Sequence, residues 1–224
     1  MNESIWFFEE VNLFEHFCPI KNSADTYDKY IKRSYKKGEH IYLTNEDSDR
    51  VFFIHEGAVK IMGYSDDGKE IVRALLHEGE IFGELAVFGE DQRRDFAVAA
   101  ESTEICILDR DQVSDLMTDV SGFRKFMMNL MGKRMVYSQQ RMEALLFKDA
   151  RTRIVNFILE QANKHGRRRG GVAYVKNHLT HQEIASYTGT SRQTVTTVLN
   201  ELRSEKLIDF SRKEFSIPDL DALK

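Results

Sequence analysis

The stretch LTHQEIASYTGTSRQTVTTVLNELRSEKLI, residues Leu179 to Ile208, decides the reading of the chain's C-terminal part. Thr180-His181-Gln182-Glu183 has the T-x-x-E form of a capping box, which predicts a helix starting at Thr180. Ile184 and Ala185 give that helix an apolar face, and the small Ala185 lets a second helix come close. Gly189 supplies the permissive backbone of a tight turn, and Ser191 is a good N-cap for the next helix. There Val195, Val198, Leu199 and Leu202 fall at i, i+3, i+4 and i+7, an inward stripe. The opposite side carries Arg192, Gln193, Thr196, Thr197 and Asn200, without an acid. Such a helix fits the major groove of DNA, where Arg, Gln, Asn and Thr address base edges and phosphates. The expected DNA-facing set is Thr180, Gln182, Ser191, Arg192, Gln193, Thr196, Thr197 and Asn200. A helical hairpin that merely packs is the competing reading, and an acid-free outer face argues against it.

Working outward, Leu207–Phe210, Arg212-Lys213 and Phe215–Ile217 read as a β-hairpin wing with a basic tip. On the other side, Thr152 to Lys164 forms an amphipathic helix with Ile154, Phe157 and Ile158 on one face. Gly166–Gly171, GRRRGG, breaks it and is expected to form a basic loop whose Arg167, Arg168 and Arg169 touch phosphates, a protein partner or only water. From Ala150 onward 13 Lys/Arg stand against 8 Asp/Glu, a net of +5; the preceding residues hold 19 against 28, a net of −9. A basic end on an acidic body suits a chain of which one part meets a polyanion.

Upstream, Asp111 to about Lys148 contains no proline and is rich in helix formers. Met128, Met131, Met135, Ser138, Met142 and Leu145 step by 3, 4, 3, 4 and 3, a heptad seam with one polar position. The seam fits a parallel dimer; packing onto its own domain is the alternative. Between Ser34 and Asp109 the runs HIYL, RVFFIHEG, AVKIMGYS, EIVRALL, FAVAA and EICILD alternate with turn signals, which indicates an antiparallel barrel or roll. Residues 4 to 32 read as helical, with a break at Cys18-Pro19.

Several classes fall away. No apolar run approaches the roughly 20 residues of a membrane span, and the N-terminus lacks the basic n-region of a secretory signal, so the expectation is a cytoplasmic protein. Cys18 and Cys106 are two reduced thiols, at least one of them buried, too few for a disulfide framework, a zinc ribbon or a cysteine-ligated cluster. P-loop, Rossmann glycine pattern, HExxH and GxSxG are all missing, and no metal site or catalytic residue is expected.

Phe82-Gly83-Glu84-Leu85, the stretch from Phe88 to Ala100, the long helix ending near Asp149 and Thr194-Val195 after Ser191-Arg192 together resemble the CRP/FNR family of bacterial transcription regulators. The resemblance covers nearly the whole chain. It implies an α+β architecture: an antiparallel, jelly-roll-like β-roll sensor over 1–110, a long dimerisation helix and hinge over 111–149, and a winged helix-turn-helix over 150–224. It also implies a homodimer on a palindromic double-stranded DNA site, in contact with RNA polymerase and away from any membrane. A cyclic-nucleotide-binding module that does not act on DNA is the competing reading.

In members that bind cyclic nucleotides, the positions matching Gly83, Glu84, Leu85 and Arg94 hold phosphate and ribose, and the position of Ser138, followed by Gln139, contacts the base across the dimer. Asp95 departs from the pattern, since a hydroxyl residue usually follows that Arg and a carboxylate there repels phosphate or occupies Arg94 in a salt bridge. Cyclic AMP, another effector and no effector all stay open. On the DNA side Arg192 matches the guanine-reading Arg. Gln193 stands where Glu is common and Thr197 where many members carry Arg, which predicts an altered half-site.

Overall fold

The structure, a computed structural model, describes residues 31–223. The expected N-terminal helix and Cys18 lie outside them, except that Ile31 and Lys32, expected helical, belong to a strand. By its internal contacts the chain divides into two compact units at Tyr137/Ser138, inside the long helix.

Among the described residues of the first unit eight antiparallel strands form two four-stranded sheets. These are β1 (Ile31–Tyr35), β2 (His40–Tyr42), β3 (Arg50–Glu56), β4 (Ala58–Tyr64), β5 (Glu70–His77), β6 (Ile81–Phe82), β7 (Phe96–Ala99) and β8 (Thr103–Asp109). One sheet has the order β1-β8-β3-β6, the other β2-β7-β4-β5. All six predicted runs are strands, and β1 and the two-residue β6 join them.

The near-continuous apolar run of β3 is explained by burial on both faces. Phe52 and Ile54 point between the sheets among Tyr42, Val59, Leu76 and Ile105. Val51 and Phe53 point outward, under two helices, with Cys106 and Leu108 of β8 beside them. Cys106 is therefore a buried core thiol.

Those helices are α1 (Arg110–Asp119) and α2 (Ser121–Phe147). One helix from Asp111 to Lys148 was expected; the chain breaks at Val120, which is extended with φ −114° and ψ 98°. The reason is local: Thr118, Asp119, Val120, Ser121 and Gly122 form an unbroken run of weak helix formers. Val113, Leu116, Phe123, Met127 and Leu130 seat the pair on the sheet.

The second unit holds the tail of α2, then α3 (Ala150–His165), β9 (Arg167–Arg169), β10 (Val172–Lys176), α4 (His181–Thr188), α5 (Arg192–Ser204), β11 (Asp209–Phe210) and β12 (Glu214–Ile217). Asp149 caps α3 by accepting from the Thr152 amide at 2.7 Å. The strands make one sheet in the order β11-β12-β10-β9. The arginine segment expected to be a loop is thus an exposed edge strand: Arg167, Arg168 and Arg169 pair with Tyr174, Ala173 and Val172, and only Gly170-Gly171 form the turn. Two glycines at positive φ suit a tight hairpin, and that chemistry outweighs the breaker reading of the segment. Ile154, Phe157, Ile184, Ala185, Val195, Leu199, Leu202 and Ile217 are among the buried side chains of the unit.

Candidate functional site

The start of each helix of the pair α4/α5 is set by a side chain three residues away. Thr180 accepts from the Glu183 amide at 3.2 Å while the Thr180 amide donates to Glu183 Oε2 at 2.7 Å, closing the predicted capping box. Gly189 ends α4 in the left-handed region at φ 64°, and Ser191 accepts from the Thr194 amide at 3.0 Å to start α5. Val195, Val198, Leu199 and Leu202 are buried, whereas Arg192, Gln193, Thr197 and Asn200 are exposed. The exposed residues form a polar strip with one cation and no acid, a surface able to donate and accept in a DNA groove.

The other expected DNA-facing residues divide. Gln182 is exposed. Thr180 and Ser191 are also exposed, but their hydroxyls serve as caps. Thr196 is half-buried; its hydroxyl donates to the Arg192 carbonyl at 3.0 Å and lies 3.0 Å from His181 Nδ1. Thr196 therefore also ties α5 to the start of α4. Burial and the nearby Arg192 cation hold the His181 imidazole below its ordinary pKa.

The wing is built as expected. β11 and β12 pair through Phe210 and Phe215, and Arg212 and Lys213 at the tip are exposed. Arg203 braces the hairpin from α5, with an ion pair to Asp209 at 2.9 Å, a hydrogen bond to the Phe210 carbonyl and its guanidinium 3.7 Å from the Phe210 ring centroid.

In the first unit, Gly83 turns the chain at φ 72° into a short 3-10 helix, Glu84–Phe88. A Cβ on Gly83 would meet the Phe52 ring at 2.8 Å, so only glycine fits. Glu84 is buried and forms an ion pair with Arg134 of α2, whose other amino group donates to the Ile81 carbonyl at 2.6 Å. Burial pulls the Arg134 pKa down to about 9, still cationic at neutral pH, with the Glu80 carboxylate acting against that fall. Leu85 and Arg94 are exposed. Ser138 and Gln139 are exposed on α2 and belong to the second unit.

Asp95 does not occupy Arg94. Its carboxylate accepts from the Tyr42 hydroxyl at 2.8 Å and lies 3.9 Å from Arg73. The guanidinium engaged inside the roll is Arg93, which donates to the carbonyls of Gly83 (3.1 Å) and Arg50 (2.5 Å) and stands over the rings of Tyr42 and Phe52.

On α2, Met128, Met135, Met142 and Leu145 are 65%, 65%, 58% and 49% exposed, so most of the heptad seam is open. Ser138 shares that exposure, and Met131 is half-buried against the roll's own core. Leu145 also touches the turn after α4, where a Cβ on Gly189 would come within 2.5 Å of its Cδ2.

Arg93 and Arg134 support the first site, and Arg141 and Arg153 the second, through partners distant in sequence: 10 residues for Arg93 with Gly83, 53 for Arg134 with Ile81, 46 for Arg141 with Tyr187 and 35 for Arg153 with Thr188.

Residues 32–119 match the cyclic nucleotide-binding domain family, and residues 152–224 match the Crp-like helix-turn-helix domain family. A CRP-like cAMP-activated global transcriptional regulator of Mycobacterium tuberculosis is 26% identical over 84% of this chain and 84% of its own. A global nitrogen regulator of Synechocystis is 28% identical over 86% and 87% of the two chains. Among solved structures, a CRP-family transcriptional regulator of Thermus thermophilus superposes with a TM-score of 0.70 at 28% identity, over 85% of this chain and 94% of that one. No helix among the described residues is long and apolar enough to cross a membrane. Relatives so named, two matched domains and an acid-free recognition face converge: the chain belongs to the CRP/FNR family and is a transcription regulator that binds DNA through its helix-turn-helix.

Proposed function

We propose that the protein acts in the cytoplasm as a homodimer held by the α2 seam at Met128, Met131, Met135, Ser138, Met142 and Leu145. Two α5 helices then read a palindrome whose half-sites lie about 10 bp apart, and the bound dimer contacts RNA polymerase. The acid-free face of Arg192, Gln193, Thr197 and Asn200 on a fully buried stripe carries this reading. Arg192 reads a guanine, and Gln193 and Thr197 shift the preference beside it. Thr180, Gln182 and Ser191 lie at the helix starts, where backbone amides and short polar side chains meet phosphate. The open methionines support the seam, because a heptad line left in water is an unmet apolar surface.

We also infer that the β-roll does not hold a cyclic nucleotide in the manner of the cAMP-activated relative. Arg94 is exposed and Glu84 is present, but Glu84 is neutralised by Arg134. The Asp95 carboxylate, anchored by Tyr42, directly follows Arg94 in the chain and would repel a phosphate held by that arginine. The relatives' names do not choose for this chain, since one is called cAMP-activated and another, at similar identity, a nitrogen regulator.

Selection of binding sites from random DNA tests the first reading, followed by affinities for the recovered palindrome and its half. Met135→Lys puts a charge into the seam and is expected to bring palindrome binding down to half-site strength. Equal palindrome affinities for variant and wild type sink the dimer. In a parallel calorimetric titration cyclic AMP is expected to give no heat with wild type; saturable binding overturns the effector reading.

A further inference from the structure

The end of α4 needs partners that the helix cannot supply. The last carbonyls of a helix have no intrahelical donor and carry its negative end charge. Here the Gly189 and Thr190 amides both use the Ala185 carbonyl, and the Thr188 hydroxyl takes that of Ile184. The carbonyls of Tyr187, Thr188 and Gly189 are bound by two guanidinium groups instead. Arg141, on the tail of α2, donates to Tyr187 O at 2.7 Å and lies 4.3 Å from the Tyr187 ring centroid. Arg153, on α3, donates to Thr188 O at 2.8 Å and Gly189 O at 3.0 Å, and its third nitrogen donates to Lys148 O just beyond the end of α2. Leu145 of the same tail closes on Gly189.

We propose that Arg141 and Arg153 are positioning residues of the DNA-binding site. They fix the turn that aims α5 and bind that turn to the tail of α2, so the setting of the recognition helix follows α2. The geometry favours a coupling device over a simple brace. Gly189 to Ser191 is the whole link between α4 and α5, and the carbonyls of Thr188 and Gly189 at its start are held from outside the helix pair. Both arginines also reach the α2 tail or its end, and the same helix carries the heptad seam. A shift of α2 along its axis would have to pull Tyr187 O with it or break the Arg141 bond. The proposal rests on the DNA-binding reading for its functional consequence and on the clamp geometry for its physical content.

The test uses the full-length chain with Arg141→Met and the milder Arg141→Lys, which keeps a cation over Tyr187 and one donor. Affinity is measured for the selected site and for random-sequence DNA across a salt series, and amide hydrogen exchange is followed in the free protein over residues 188–194. Arg141→Met is expected to lower affinity for the selected site about tenfold, the worth of one charge-assisted hydrogen bond. Random-DNA affinity and the salt slope stay unchanged, exchange in the turn accelerates, and Arg141→Lys recovers most of both effects. Equal losses on selected and random DNA with a salt slope shallower by about 0.9 would make Arg141 a phosphate contact and overturn the proposal. A lower unfolding temperature with an unchanged ratio of the two affinities and unchanged exchange would make it a brace and overturn it equally. If wild type prefers no DNA sequence, the DNA-binding reading fails, and the exchange measurement still decides the clamp.

Discussion

The two sites of this chain are built on opposite plans. On α5 the side chains proposed to meet DNA face water, and the polar groups at the helix starts are satisfied within three residues by Thr180, Glu183 and Ser191. In the β-roll charged side chains are bound within the fold: Glu84 by Arg134, Asp95 by the Tyr42 hydroxyl and Arg93 by the backbone carbonyls of Gly83 and Arg50, across up to 53 residues of sequence. The difference teaches where each site keeps its free energy. The helix-turn-helix leaves its hydrogen-bonding capacity unspent for a partner. The roll uses most of its own on the fold.

Cutting the buried pair in the roll therefore gives the largest effect. Arg134→Ala leaves the buried Glu84 carboxyl without its partner, and loss of one member of a buried pair costs about 3–5 kcal/mol. The combined change Arg134→Met with Glu84→Leu removes both charges and is expected to recover most of that loss. Urea unfolding followed by a probe in the first unit measures both. A single variant as stable as wild type would show the ion pair to be dispensable and erase the contrast.

The corresponding cut on α5 spares stability. Arg192 is exposed and makes no ion pair among the described residues, so Arg192→Ala should leave unfolding unchanged. It should cost about 1–3 kcal/mol of discrimination at one base pair, the worth of a bidentate guanine contact. Competition between the selected site and its single-base variants reads this directly. A uniform loss at every position would make Arg192 a phosphate contact, and the two plans would then differ less than proposed.

This contrast also explains what was legible in the sequence. The capping box at Thr180, the turn at Gly189 and the cap at Ser191 are short-range chemistry, and short-range chemistry is written in adjacent letters. Six strands of the roll were legible for the same reason, as β-rich runs between turn signals, whereas β1, partly read as helix, and the two-residue β6 were not. The break at Val120 lies in a run of weak helix formers that the overall composition of the segment masks. The arginine strand was read as a loop because glycines flank it, although paired glycines also make hairpins. Tyr42 with Asp95, Arg134 with Glu84 and Arg141 with Tyr187 could not be found that way: each joins residues that only the folded chain brings together. Arg93 and Arg94 show the limit most plainly. They are adjacent and identical, yet one is buried under the Gly83 turn and the other faces solvent.

The smallest effect concerns Asp95, and its sign tests whether the roll is indeed closed on itself. Burial raises the Asp95 pKa above the ordinary carboxylate value, against the Tyr42 hydrogen bond and the Arg73 and Arg93 charges that favour ionisation; Glu90 adds to the rise. The native state thus holds this proton to higher pH than the unfolded chain does. Over the window from the ordinary aspartate pKa up to the raised one the folded protein binds more protons, so this group's contribution to stability falls as pH rises. Asp95→Asn keeps an acceptor for the Tyr42 hydroxyl and removes the titration. The variant should match wild type at the acid end of that window and become the more stable of the two toward neutrality, as measured by urea unfolding between pH 4 and pH 7, about the span over which carboxylates with raised pKa values titrate. Parallel stability curves for the two proteins would mean that Asp95 ionises as freely in the fold as in water. The carboxylate would then be open to solvent, and the β-roll would resemble α5 in keeping its polar groups for a ligand.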